Sequence, residues 1–300
     1  MTTANELKQR ISNGEFSQKE VAKVLDISPT TVSMYLNGTY KGNSETIDTK
    51  VEKFLQNADE KKEYDFQKVT LDFVTTSVAK RVFNVAKMCQ MNGEIGVCFG
   101  RSGYGKTTAC KEYAKTQYGV IWLDPNENAN KYEVIRMLAK SLNINDDYVN
   151  IALPKIVNKL NNSNYLIIVD EAENLKSPVF RTLRKIHDKC NFSFGLLFVG
   201  TERLYYNLAR MKGEFEYLTN RISYVENLQA LKESDVKALV QQVFSNLPEN
   251  CLKTFKEVCH SNARELFNLL KRTKDLINSG NSLSPQTINA ASKFLIGGNY

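Results

Sequence analysis

Residues Gly100, Arg101, Ser102, Gly103, Tyr104, Gly105, Lys106 and Thr107 fit the pattern Gly-x-x-x-x-Gly-Lys-[Ser/Thr] without a mismatch. No other stretch limits the possible folds as strongly, because the pattern works only between a strand and a helix. Both flanks are there. Ile95–Phe99 reads as a short buried strand and Thr108–Tyr118 as a helix. The three glycines let backbone N–H groups curl around an anion, and the helix N-terminus adds its partial positive charge. Lys106 is expected to reach β- and γ-phosphates, and the Thr107 hydroxyl to ligate Mg²⁺, so the stretch through Thr108 reads as an ATP·Mg²⁺ site. A glycine-rich turn that happened to precede Lys-Thr would need neither flanking element.

With 300 residues, 42% of them hydrophobic and 24% charged, the chain can build two or three globular domains. The longest apolar runs, Tyr165–Val169 and Gly195–Val199, are far too short for a membrane span, and the first residues lack a signal-peptide core. A cytoplasmic protein with no membrane partner is the expectation. The six cysteines form no Cys-x-x-Cys pair, which suits reduced, buried thiols; Cys259-His260 has no second pair that would make it a metal site.

The first third of the strand-helix alternation leads to a second strand, Val120–Leu123, and a helix from Lys131 to Ser141. The third strand, Tyr165–Val169, ends in Asp170-Glu171. A strand buried on both faces that delivers two carboxylates to the phosphate end is what a Walker B element requires. Asp170 is expected to hold Mg²⁺ through water, and Glu171 to polarise the water that attacks the γ-phosphate. A fourth strand, Phe194–Val199, runs to Thr201, which either contacts the γ-phosphate region as a sensor or N-caps the next helix. Leu218–Val225 carries Arg221 just before an alternating strand, and Arg264 lies at the start of a later helix.

The N-terminal segment reads differently. A helix over residues 5–13 is followed by one starting at Ser17, with Glu20 completing a capping box, then by the turn Asp26-Ile27-Ser28 and a third helix, Thr30–Asn37, closed by Gly38. This is a helix-turn-helix with Val21, Ala22, Leu25, Ile27, Val32 and Leu36 as its core and Thr30, Thr31, Ser33 and Tyr35 facing out. Either DNA or a protein could be its partner, because the third helix contains no Lys or Arg and Lys41 is the nearest cation. Residues 44–56 add a helix, and Asn57–Tyr64 reads as a charged linker. The expected domains are 1–62, 63–228 and 229–300, with net charges of zero, +4 and +3. Any non-specific attraction to nucleic acid should therefore come from the central and C-terminal parts. Lys155 with Lys159, and Arg181, Lys185 and Lys189 with Arg184 beside them, make two cationic stripes that fit either DNA or ordinary solvated helix faces.

Together these pieces resemble the AAA+ ATPases: an α/β fold with an N-terminal all-α helix-turn-helix module, a P-loop core on a parallel sheet and a C-terminal helical lid. The resemblance puts Arg221 in the position of an arginine finger acting on a neighbour and Arg264 in a sensor-2 setting, with Ser261 where many such proteins have Gly. The domain order, Ile-Val-Asp-Glu-Ala-Glu and Phe-Val-Gly-Thr-Glu-Arg-Leu-Tyr-Tyr-Asn-Leu resemble the family of phage Mu transposition protein B along essentially the whole chain. That resemblance implies ATP-dependent assembly into a helical filament or ring on double-stranded DNA, selection of transposition targets and activation of a transposase. The same motifs would also serve a replication initiator or helicase loader, or a nucleotide-responsive helix-turn-helix transcription regulator.

Overall fold

The computed structural model describes residues 3–67, 69–127, 129–146, 148–210 and 216–295. They divide into two compact units, Met1–Thr70 and Leu71–Tyr300.

The first unit is all-helical: α1 (Thr3–Ser12), α2 (Gln18–Leu25), α3 (Pro29–Leu36) and α4 (Ser44–Gln67). The capping box forms, with the Glu20 N–H donating to Ser17 Oγ and the Ser17 N–H to Glu20 Oε2. Ser28 caps α3 and Pro29 occupies its first turn. Leu7, Val21, Ala22, Leu25, Val32 and Leu36 close on Ile47, Val51 and Leu55 of α4. Two expectations need correction here. Tyr35 does not face out: it is buried with Val32, three positions back, and Leu36, the next residue, and its hydroxyl donates to Asp48. The stretch Asn57–Tyr64 is no linker either, since α4 runs through it to Gln67. Ala58, Glu60, Lys61, Lys62 and Glu63 in it are good helix formers, and it has no Gly or Pro. Ion pairs to the first helix and its turn tie it down, Arg10 Nη2 to Asp59 Oδ2 at 2.7 Å and Lys62 to Glu15 at 2.7 Å.

The second unit begins with α5 (Ser77–Asn92), then β1 (Ile95–Phe99), α6 (Lys106–Thr116), β2 (Val120–Leu123), α7 (Lys131–Ser141), α8 (Val149–Leu160) and β3 (Leu166–Val169). A 3₁₀ turn (Ala172–Asn174) leads to α9 (Ser177–Lys189), β4 (Gly195–Gly200), α10 (Glu202–Arg210), α11 (Glu216–Thr219) and β5 (Ile222–Asn227). Among the described residues four helices follow, α12 (Glu233–Gln241), α13 (Glu249–Val258), α14 (Ala263–Asn278) and α15 (Pro285–Ser292). All five strands are parallel, in the order β2-β3-β4-β1-β5. The central three are covered by helices, and every residue of β1, β3 and β4 is buried, which explains their unbroken apolar runs. The edge strand β5 alternates between half-buried and exposed positions. The six cysteines are buried free thiols, as expected. Among the described residues no helix is long and apolar enough to cross a membrane.

Candidate active site

Parallel pairing brings the C-terminal ends of β1, β3 and β4 to one edge of the sheet, the edge at which α/β proteins bind ligands. A cleft of about 590 Å³ opens there. The phosphate loop follows β1 and runs into α6. Gly105 takes φ 91° and Gly103 φ 83°, conformations that only glycine adopts without strain. Gly103 is constrained a second time, because a Cβ there would stand 2.3 Å from Asn262 Oδ1. Lys106 is 8% exposed, and its ammonium donates to the carbonyls of Gly100 at 2.7 Å and Arg101 at 2.9 Å. Burial pulls its pKa down; Glu173 and then Asp170 are the main charges that oppose this.

β3 delivers Asp170, which is 1% exposed. Its carboxylate accepts from the Glu171 N–H at 3.0 Å, from Trp122 Nε1 at 3.4 Å and from the Thr107 hydroxyl. Burial still holds its pKa above the usual aspartate range. Glu171 follows in the left-handed region at φ 47°, strain of the kind that collects at functional sites. That turn carries its side chain into the cleft, where Asn174 donates to it at 3.4 Å. Loss of water, then Asp124, Asp170, Glu173 and Glu127, raise its pKa. Thr201 lines the same cleft and also heads α10, its carbonyl accepting from the Leu204 N–H at 3.0 Å.

The opposite wall is helical. Asn262 caps α14 and donates from Nδ2 to the Ser102 carbonyl at 2.9 Å. The Arg264 N–H donates to the Gly103 carbonyl at 3.1 Å and its guanidinium to Ser102 Oγ at 3.4 Å. A strap, Leu71 to Thr76, supplies an apolar flank with Phe73 and Val74, facing Leu231 and Phe267. Gln242 holds it by exchanging hydrogen bonds with the Asp72 backbone, and Asp235 by accepting from Ser77. Asn262, Glu173, Trp122 and this strap were not singled out from sequence. Only Asn262 left a trace there, as a cap residue two positions before Arg264.

Arg221 is elsewhere. It precedes β5, whose first residue Ile222 pairs with Ile95 at the start of β1, so Arg221 sits at the far end of the sheet from its own phosphate loop. It pairs with Asp188 at 3.8 Å and lies over the Phe192 ring at 5.3 Å. Glu226 of β5 pairs with Arg81 rather than with Arg221. The two cationic stripes fare differently. On α8, Lys155 pairs with Asp146 at 2.8 Å and Lys159 donates to the Leu142 carbonyl. On α9, Arg181, Lys185 and Lys189 are exposed, and the half-buried Arg184 pairs with Asp188 at 2.9 Å. On the helix-turn-helix, Thr30 and Lys41 are exposed and Ser33 is half-buried, while Thr31 is engaged with Ser28. Cys259 is buried and His260 meets Glu265; among the described residues no group of three or more His, Cys, Asp or Glu could hold a metal ion.

A parallel sheet with this strand order, a loop that folds around Lys106, two carboxylates at the end of β3 and a helical wall that reaches the loop through Arg264 define an AAA+ ATPase. An AAA-domain family profile matches residues 89–208 and a helix-turn-helix profile residues 7–47. Within that class the chain resembles phage Mu transposition protein B. It is 28% identical over 277 residues to the Mu-like prophage FluMu DNA transposition protein B of Haemophilus influenzae, covering 86% of this chain and 91% of the relative. It is 28% identical over 242 residues to the ATP-dependent target DNA activator B of Escherichia phage Mu, covering 78% and 75%. The fold matches the ORC2 protein of Aeropyrum pernix, with TM-score 0.55 and 18% identity over 75% of this chain and 68% of that one. Domain III of the Thermotoga maritima replication initiation protein DnaA matches with TM-score 0.51 and 16% identity, over 76% and 100%.

The first test follows from the Lys106 contacts. Lys106→Ala is expected to weaken ATP binding by about 10–100-fold, the range for losing charge-assisted hydrogen bonds to a phosphate. Trp122, the only tryptophan in the chain, touches Asp170 and gives the fluorescence readout. Wild-type affinity in the variant would remove Lys106 from the phosphate site.

Proposed function

We propose that this protein is an ATP-controlled DNA-binding ATPase that assembles on duplex DNA, selects targets for transposition and activates a transposase. The observation that carries this reading is the pairing of a complete phosphate site with a helix-turn-helix unit in one chain, collinear with relatives named for DNA transposition and target DNA activation. Thr107 and Asp170 would hold Mg²⁺: a hydroxyl and a buried carboxylate already within hydrogen-bond reach form the hard oxygen set that this ion takes. Mg²⁺ supplies charge neutralisation of the phosphates when bound. Glu171 then accepts the proton of the attacking water, and its raised pKa brings it closer to the neutral range in which a general base works best. Thr201 and Arg264 contact the γ-phosphate end from β4 and α14. Arg221 serves the site of a second copy.

Contact to duplex is assigned to the exposed face of α9 through the cations Arg181 and Lys185, and to the helix-turn-helix through the hydroxyls of Thr30, Thr31 and Ser33 and the ammonium of Lys41. Self-association into a filament or ring follows from the trans placement of Arg221. Duplexes of unrelated sequence, titrated with ATP, with ADP and without nucleotide, test the reading. Binding is expected to need ATP and to tolerate sequence changes. One preferred operator, bound equally with and without ATP, would replace it with a sequence-specific regulator.

A further inference from the structure

Glu173 has no part in the roles above, yet it lines the same cleft. It sits in the 3₁₀ turn after β3 and lines the cleft beside Asp170, Glu171, Gly200 and Thr201. Its Oε2 is buried and accepts no hydrogen bond among the described residues. The end of β4 is shaped around it: a Cβ on Gly200 would stand 2.3 Å from that oxygen. A carboxylate oxygen taken out of water without a donor is costly, and native proteins rarely keep one without use. Its nearest charged company is mixed. Among the charges acting on Lys106, Glu173 is the largest favourable one, ahead of Asp170, and it also acts on Glu171.

A fixed negative charge here has opposite effects on two forms of one ligand. Free ATP is a polyanion and is repelled by Glu173. ATP carrying Mg²⁺ is less negative and brings metal-bound water, a donor of the kind the unpartnered oxygen lacks. We propose that Glu173 is a positioning residue that makes the site select Mg²⁺-bound ATP over free ATP, its carboxylate accepting from the water around the ion that Thr107 and Asp170 would hold. This rests on the cleft being the ATP site, and the test separates the two claims.

Calorimetric titration with a non-hydrolysable ATP analogue, in EDTA and in Mg²⁺, measures the preference without turnover. Glu173→Gln keeps the shape and removes the charge. Its affinity for the analogue is expected to rise in EDTA and to fall in Mg²⁺, so that the ratio of the two affinities drops at least about tenfold, a modest share of what one unit charge exerts across a few ångströms at an effective dielectric near 20. Glu173→Ala should move both affinities in the same directions, and Glu173→Asp, which keeps the charge, should hold the wild-type ratio within a few-fold. An unchanged ratio in the Gln and Ala variants overturns the proposal. So does a parallel loss in both buffers, which is what a merely structural residue would give. Failure of the wild-type protein to bind the analogue in either buffer would instead overturn the ATP-site reading beneath it.

Discussion

Glu171→Gln is expected to bind ATP as the wild type does and to hydrolyse it about 10²–10⁴ times more slowly, the range for removing a positioned general base. The geometry separates the two effects. On the proposed reading, phosphate contacts would come from the loop, from Lys106, which donates to the Gly100 carbonyl, and from the α14 wall, where Asn262 and Arg264 meet Ser102 and Gly103. Glu171 touches none of these. It sits on a left-handed turn at the end of β3, with its pKa raised by loss of water and by the surrounding carboxylates. The amide is isosteric, keeps the Asn174 contact available and cannot take a proton. Because turnover stops while nucleotide stays, complexes with DNA should also last longer in this variant than in the wild type. Phosphate release and DNA retention measured on one preparation check both halves. Wild-type turnover would mean that another group activates the water, and Glu173, the next carboxylate in the cleft, would be the first to test.

How much of this site could be read from sequence depends on how far apart its parts lie along the chain. The phosphate loop and Asp170-Glu171 are local patterns tied to buried strands, and both emerge where the apolar runs end. The contact between Arg264 and Ser102 spans 162 positions, and no periodicity encodes it. Resemblance to a family suggested Arg264; only the fold brings Asn262 against the phosphate loop and the strap from Leu71 to Thr76 to the cleft. Glu173 stayed hidden for another reason. An acidic residue after a strand looks like any solvated turn, and the burial of a single oxygen depends on β4 pressing against it.

The N-terminal unit shows a complementary failure. The apolar spacing Ile47, Val51, Leu55 stops where α4 leaves the core, so a reading based on hydrophobic period ends the helix there. The remaining turns are held by intrinsic propensity and by the ion pairs of Asp59 and Lys62, which carry no such period. Tyr35 was legible in principle, since Val32, Tyr35 and Leu36 share a face at i, i+3 and i+4. Its hydroxyl is satisfied inside by Asp48, so burial leaves no polar group without a partner there.

Arg221→Ala is expected to keep ATP affinity and to lose at least about 10³-fold in turnover, the scale of an arginine supplied to a phosphoryl-transfer site. The sheet itself supports action on a neighbour. Arg221 stands before β5, level with the start of β1, while the phosphate loop begins after Phe99 at the other end. Five residues of strand at about 3.3 Å each separate the two levels, too far for one side chain to span. Among the described residues, Arg221 meets Asp188 in a long pair and lies over the face of Phe192, contacts that a second copy's phosphates could replace. Wild-type turnover per protomer should therefore rise with protein concentration and with added duplex, and the variant should lack that rise. Mixing Arg221→Ala with Glu171→Gln protomers gives the decisive measurement. Each lacks a different half of a composite site, so an interface that joins the intact Glu171 of one to the intact Arg221 of the other restores part of the activity. A mixture that stays inactive while both proteins are folded and assembled on DNA would return Arg221 to a structural pairing with Asp188, and the variant's cost would then appear in its melting temperature instead of its turnover.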